Sequence, residues 1–317
     1  MNIYDIAEKA GVSVATVSRV INNSANVSEK NRSKVMEIID QERYVPNIFA
    51  RNLNSTASKT IGILCPIISD INHVKPVSIL EHLLRDAGYD ILLSCTDSVS
   101  ENKAKSLNLL HNRRVDAIIL IGSTMEELTQ YEHFVPIAAE IPILIINGLV
   151  ELDNVYCVLS DEREGVKNLV KTLFDYGCRR ILYLNDTCSF SGFQKIQGYR
   201  EGLAQCGLPD DGELILQIPE TEDELQPSRE MIQKMLDDGI AFDALIAADD
   251  ILAVGAQKAL QAREINIPIV GLNNSRFSQC TTPELTSMDT NVETVCATDP
   301  APCASGRASG FPRGDLN

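Results

Sequence analysis

Apolar residues recur along this chain in two rhythms. Up to Tyr44 they fall three and four positions apart in short bursts, the spacing of one helical face. Ile6, Ala7 and Ala10 mark a helix over residues 4–10, and Gly11 suits the left-handed position that ends it. Val12 and Ser13 make a turn, with Ser13 placed to cap the next helix. Val17, Val20 and Ile21 then line the inner face of a helix over 14–21. A third helix begins at Ser28, carries Glu29 in its first turn and Val35, Ile38 and Ile39 as its stripe, and ends near Tyr44. Helix, short glycine-containing turn, helix is the helix-turn-helix signature. Three such helices close a small core that none can bury alone.

From Thr60 the rhythm changes to unbroken apolar runs alternating with amphipathic stretches. The runs predict strands at 61–65, 89–94, 117–121, 143–146, 180–184, 244–247 and 269–270. Helices are predicted at 77–87, 101–112, 164–176, 193–206, 224–238 and 251–262. Gly88, Gly177, Gly207 and Gly239 stop four of these helices before a strand, as repeated αβ units require. Strands apolar on both faces imply parallel sheets covered on both sides. Two blocks, about 60–158 and 161–286, suggest two doubly wound subdomains. Such sheets bind ligands beyond the carboxyl ends of their strands, in the crevice between the halves. Ser69, Asp70, Asn147, Asp249, Asp250, Asn273 and Asn274 stand at those ends. Each also fits a cap or turn, and Asp250 is the one best suited to capping alone.

Composition narrows the classes. The chain has 317 residues, 44% of them hydrophobic and 23% charged, a globular mix of about two domains. No apolar run approaches the ~20 residues of a spanning helix, and no secretory leader is visible. Nine cysteines without a C-x-x-C pair read as reduced thiols. The four histidines offer no obvious metal set, and no nucleotide, nucleophile-elbow or zincin motif appears, so neither metal, cofactor nor enzymatic role is expected. Net charge is -16, yet residues 1–60 hold eight basic against six acidic side chains while the remainder holds twenty against thirty-eight. A mildly basic head on an acidic body lets one end approach a polyanion.

The outward face of the second helix carries the chemistry. Val14, Ala15, Ser18 and Arg19 lie near its start or away from the core. Such a helix enters a major groove by its N-terminal end. There Arg19 can read a guanine edge, Val14 and Ala15 can touch thymine methyls, and Thr16 and Ser18 can bond phosphates. A solvated surface on a three-helix interaction module is the alternative on this pattern alone.

The run Asp5-Ile6-Ala7-Glu8-Lys9-Ala10-Gly11-Val12-Ser13-Val14-Ala15-Thr16-Val17-Ser18-Arg19-Val20-Ile21-Asn22 closely resembles the DNA-binding head of the LacI/GalR family of bacterial transcriptional regulators. The resemblance implies that Val14, Ala15 and Arg19 contact operator bases. Tyr44-Val45-Pro46-Asn47 looks like the family's exit from the head, with Asn47 capping a short helix over 48–53. Six residues are too few to stand as a helix alone in water. In similar proteins two such helices pair in the minor groove, which implies Leu53 as the apolar wedge and Ala50 as the small residue beside it.

Most of the body is similar to the family's periplasmic-binding-protein-like effector domain, through Arg179-Arg180-Ile181-Leu182-Tyr183-Leu184, Gln197-Gly198-Tyr199-Arg200-Glu201-Gly202-Leu203 and Thr282-Pro283-Glu284-Leu285-Thr286-Ser287. On that resemblance Asn147, Lys195, Asp249 and Asn273 fall at effector-contacting positions. Three departures stand out. Lys195 replaces a common Arg, so a planar fork becomes a point charge. Asn72-His73 stands where many members have two aromatics, making His73 a candidate contact. Gly271-Leu272-Asn273-Asn274 replaces a Gly-aromatic-Asp-Asp run. Polar groups without the usual aromatic face imply a small polar effector of carbohydrate type.

The resemblance stops after Cys296. Family members continue with a helix and a final strand pair, whereas residues 297–317 carry three prolines and three glycines. That stretch reads as an unstructured tail, an out-of-frame or truncated end that leaves the first subdomain short of a helix. The expected organisation is therefore a helix-turn-helix head over 1–46, a hinge and linker over 47–59, an effector-binding and dimerisation domain over 60–296 (60–160 with 288–296, and 161–287), and the tail. The expected function is a cytoplasmic, nucleoid-associated, homodimeric repressor that binds a near-palindromic double-stranded DNA operator under control of the effector. A small-molecule-binding protein of the periplasmic type without DNA regulation is the alternative.

Overall fold

The computed structural model describes residues 3–21, 26–42, 58–96, 100–124, 126–128, 130–186, 189–210, 212–219, 224–298 and 301–302. Asn47, Ala50, Leu53 and the rest of the proposed hinge helix lie outside them, as do residues 303–317. The chain separates into two compact units, Met1–Ser58 and Lys59–Asn317.

In the first unit three helices, α1 (Ile3–Ala10), α2 (Val14–Ile21) and α3 (Glu29–Gln41), enclose Ile6, Ala7, Ala10, Val17, Val20 and Val35. Gly11 turns the chain at φ 64°. The Ser13 hydroxyl accepts the Thr16 N–H at 3.2 Å, capping α2. Val14, the first residue of α2, is half-buried and packs against the core, because it precedes Val17 by three positions and shares its face. Ala15 and Arg19 are exposed, and Thr16 and Ser18 are half-buried.

The second unit holds two sheets. The first takes β1 (Thr60–Cys65), β2 (Asp90–Cys95), β3 (Ala117–Ile121), β4 (Ile143–Ile146) and β5 (Val155–Val158) in the order β2-β1-β3-β4-β5, all parallel. The second takes β6 (Ile181–Asn185), β7 (Ile215–Gln217), β8 (Ala244–Ala247), β9 (Ile269–Leu272) and β10 (Thr286–Met288) in the equivalent order β7-β6-β8-β9-β10. In the first sheet Ile61, Ile63, Cys65, Ile119 and Ile121 feed one core while Leu64, Ile118 and Leu120 feed the opposite one. This period-two division is what a sheet buried on both faces demands.

Helices α4 (Ile71–Asp86) and α5 (Ser100–Asn112) and the short α6 (Val135–Ala138) serve the first sheet. The second has α7 (Glu162–Tyr176), α8 (Phe190–Cys206), α9 (Leu225–Asp237), α10 (Asp250–Gln261) and α11 (Arg276–Gln279). Gly88, Gly177, Gly207 and Gly239 all have φ between 68° and 109°, the conformation that stops a helix at little cost only in glycine. Helix α4 begins six residues before its expected start. Asp70 caps it by accepting the Asn72 N–H at 2.8 Å, and Pro76 lies inside the helix.

The chain crosses from the first sheet to the second at 159–161 and returns at 289–291. It then forms α12 (Val292–Ala297), whose Val295 enters the core of Ile61, Ile63 and Val77. Beyond it β11 (Ala301–Pro302) adds antiparallel to the edge of β5. The expected wholly unstructured tail is thus corrected at its start: β5 offers an unpaired backbone edge, the place where a strand proline is tolerated. Cys157 of β5 is disulfide-bonded, against the expectation of reduced thiols throughout. Among the described residues no helix is long and apolar enough to cross a membrane.

Candidate functional site

The switch point of each sheet, where strand order reverses, opens into the crevice between them, and the chain's chemistry gathers there. Asp249 stands two residues beyond the end of β8 and is 2% exposed. Its Oδ1 accepts the Ile251 N–H at 2.6 Å, so Asp249, and not Asp250, caps α10. Asp250 is fully buried and instead accepts the Ser275 N–H at 2.6 Å through Oδ2. The expectation of Asp250 as the cap is corrected by one residue, because the extended backbone of Asp249 (ψ 154°) is the cap conformation.

The other oxygen of Asp249 receives two carboxamides. Asn273 Nδ2 donates to Oδ2 at 3.1 Å from beyond β9, and Asn72 Nδ2 donates to the same oxygen from the first turn of α4. The Asn72 bond spans the crevice from one sheet's side to the other's. One residue further, His73 Nδ1 lies 2.9 Å from Asp70 Oδ2. Lys195, on α8 and 6% exposed, donates to the Ala248 carbonyl at 3.1 Å and stands 3.5 Å from Glu162 Oε1.

Charge in this cluster is unevenly balanced. Burial and then the neighbouring Asp186 push the Asp249 carboxyl up to about 7, with Asp70 adding to the rise; the Ile251 N–H and Lys195 oppose it. Burial would lower the Lys195 ammonium, but Glu162, Asp186 and Asp249 together hold it above its ordinary value. Burial also acts to raise Asp70, yet its bond to His73 and the nearby positive charge keep it below the usual carboxylate range. A buried carboxylate accepting three donors, with the Lys195 ammonium and the Asp70–His73 pair nearby, offers polar groups that can hydrogen-bond hydroxyl or amine groups.

The structure thus gathers Asp70, His73, Lys195, Asp249 and Asn273. Ser69 is exposed on the segment leading into α4. Asn147 sits at φ 52°, and its Oδ1 accepts the Ser160 N–H at 3.0 Å and the Ser160 hydroxyl at 2.8 Å, at the crossing between the sheets. Sequence reasoning did not assign Asn72, Glu162 or Asp186. Asp186 had a signal, since it follows β6 as Asp249 follows β8; Glu162 and Asn72 join the group only through tertiary packing.

No metal-holding group of three or more His, Cys, Asp or Glu side chains occurs among the described residues.

Comparison with known proteins matches residues 2–47 to bacterial regulatory proteins of the lacI family and residues 58–299 to the periplasmic binding proteins and sugar binding domain of the LacI family. An HTH-type transcriptional regulator of Lachnoclostridium phytofermentans is 41% identical over 93% of this chain and 90% of its own length. Catabolite control protein A of Priestia megaterium is 31% identical over 91% of this chain and 87% of its own length. The fold matches the crystal structure of the lac repressor dimer bound to operator and the anti-inducer ONPF, with a TM-score of 0.81 at 22% identity over 93% of this chain and 89% of that one.

Proposed function

The chain belongs to the lacI family of bacterial regulatory proteins, and on that premise we propose how its two units divide the work. It is a DNA-binding regulator of transcription. In our reading it acts as a homodimeric repressor. Each head takes one half-site of a near-palindromic operator, and a small polar effector of carbohydrate type in the Asp249 crevice sets the affinity.

The exposed face of α2 supports the first part. Ala15 and Arg19 project where a base edge can be met, and Thr16 and Ser18 flank them at phosphate reach. Val14 contributes from the groove-side start of the helix while anchoring it to the core. Asn47, Ala50 and Leu53 serve as the hinge, with Leu53 the minor-groove wedge. For the second part, Asp70, His73, Lys195, Asp249 and Asn273 supply the fixed polar groups a sugar requires, with Ser69 at the rim and Asn147 at the crossing. The observation that carries the reading is the bond from Asn72 to Asp249, which joins the two sides of the crevice at its buried carboxylate. Coupling of this kind between two sites is typically about 1–3 kcal/mol.

A gel-shift titration tests the proposal. The full chain should bind a cognate palindrome at nanomolar concentration, with affinity falling steeply as salt rises. Leu53→Ala should weaken operator binding and leave ligand-induced thermal shifts unchanged. Equal affinity for scrambled duplex would refute specific regulation, and a carbohydrate screen without any thermal shift would refute the effector class.

A further inference from the structure

Two thiols meet at the carboxyl ends of β1 and β2, outside the hydrogen-bonded group of the crevice. Cys65 is the last residue of β1 and Cys95 the last of β2, and the register sets them directly opposite each other. Their sulfurs are 3.9 Å apart. Neighbouring strands lie about 4.8 Å apart, so the two Cα atoms fall within the ~4.4–6.8 Å span of a disulfide. Cys65 is 1% exposed and Cys95 is exposed. The pair therefore has one sulfur for an outside reagent to reach and one held behind it.

We propose that Cys65 and Cys95 are a thiol–disulfide exchange site, which a small-molecule disulfide such as oxidised glutathione converts to an intramolecular disulfide. The Cys95 thiolate attacks one sulfur of the small disulfide, breaking its S–S bond and releasing one thiolate. The Cys65 thiolate then attacks the Cys95 sulfur of the mixed disulfide and releases the second. Two protein thiols are oxidised by two electrons, the small disulfide is reduced to two thiols, and the two protons pass to the departing thiolates.

The order of attack follows from the surroundings. Burial, then the charge and hydrogen bond of Cys95, push the Cys65 thiol up to about 12. Capping Cys95 as a mixed disulfide removes that neighbouring negative charge, which makes Cys65 easier to ionise at the step where it must attack. Closing the bond draws the sulfurs from 3.9 Å to about 2.05 Å. Both residues end their strands, so the movement falls on the following segment. From Cys65 that segment runs directly to Asp70, Asn72 and His73. A small-molecule thiol reverses the bond by the same exchange run backwards, which makes the modification reversible.

Trypsin makes the test direct, because cleavage after Lys59, Arg85 and Lys103 leaves the two cysteines in separate peptides, 60–85 and 86–103, each with a single cysteine. The full chain is incubated with millimolar oxidised glutathione, digested without reductant and analysed by mass spectrometry. The expected result is a cross-linked pair of these peptides that dithiothreitol dissolves. Cys65→Ser should instead stop at one glutathione on Cys95, and Cys95→Ser should leave Cys65 unmodified. Three results on the wild-type chain would overturn the proposal, whatever the variants do. These are a stable glutathione adduct on Cys95 without the cross-link, a Cys95–Cys95 bond between copies, or no reaction at either residue.

Discussion

Replacing Asp249 by Asn removes the ionisable group of the crevice and should change how stability depends on pH. An ordinary Asp titrates at 3.8, whereas in the folded chain burial and then Asp186 push Asp249 up to about 7. The folded form therefore holds this proton more tightly than the unfolded one. Its contribution to stability is complete below 3.8 and is lost as pH rises towards 7. Each unit of difference is worth about 1.4 kcal/mol, so the full loss is about 4 kcal/mol, of which about 2 kcal/mol falls between pH 5 and 7. Asp249 is 2% exposed, so solvent screening does not reduce this figure appreciably. Glu127, held low, slopes in the opposite sense and acts in wild type and variant alike. The informative quantity is the difference between the two proteins. Urea unfolding followed by far-ultraviolet circular dichroism at pH 5 and pH 8 should show Asp249→Asn gaining about 3 kcal/mol on wild type at the higher pH. A difference that stays constant with pH would refute the account of Asp249 as a strained carboxylate.

A methyl group at Gly198 would sit well inside contact distance of the Arg163 carbonyl. Gly198→Ala should therefore force α7 and α8 apart and cost about 1–3 kcal/mol, read as a lowered melting temperature. Lys103 and Glu127 form a buried pair at 2.9 Å, with Glu127 1% exposed. Lys103→Met leaves that carboxylate to the Thr124 N–H and His133 and should cost about 1.5–3 kcal/mol, whereas adding Glu127→Leu should recover part of it in the same melt. Asn72→Ala removes one of the three donors on Asp249 and the bond spanning the crevice. At about 1 kcal/mol for a hydrogen bond, deuterium exchange at the start of α10 should quicken by roughly fivefold, and unchanged protection there would dismiss the bridging role.

Periodicity made the helical head and the alternating strands and helices legible because each element there repeats its signal over several turns or residues. It failed where signals are short. The strands Val155–Val158, Ile215–Gln217 and Thr286–Met288 have three or four residues each, too brief for a period to register. The first turn and a half of α4, Ile71 to Pro76, mixes polar and apolar residues around a proline and carries little helical signal, and the cap of α10 was displaced by one residue because two aspartates stand side by side. In the crevice, the strand-end rule found Asp70, Asp249 and Asn273, whereas Lys195 and His73 came through the family resemblance. Asn72 reaches Asp249 across 177 positions of sequence, and no local pattern encodes such a meeting.

The second sheet is built from one uninterrupted stretch, β6 to β10, while the first draws elements from both sides of it. For a polypeptide emerging from the ribosome, this means the layer begun earlier is completed later. Ile61, Ile63 and Val77 leave the exit tunnel well over two hundred positions ahead of Val295, which shares their core. A nascent protein must therefore carry an open apolar slot through the whole synthesis of its other half.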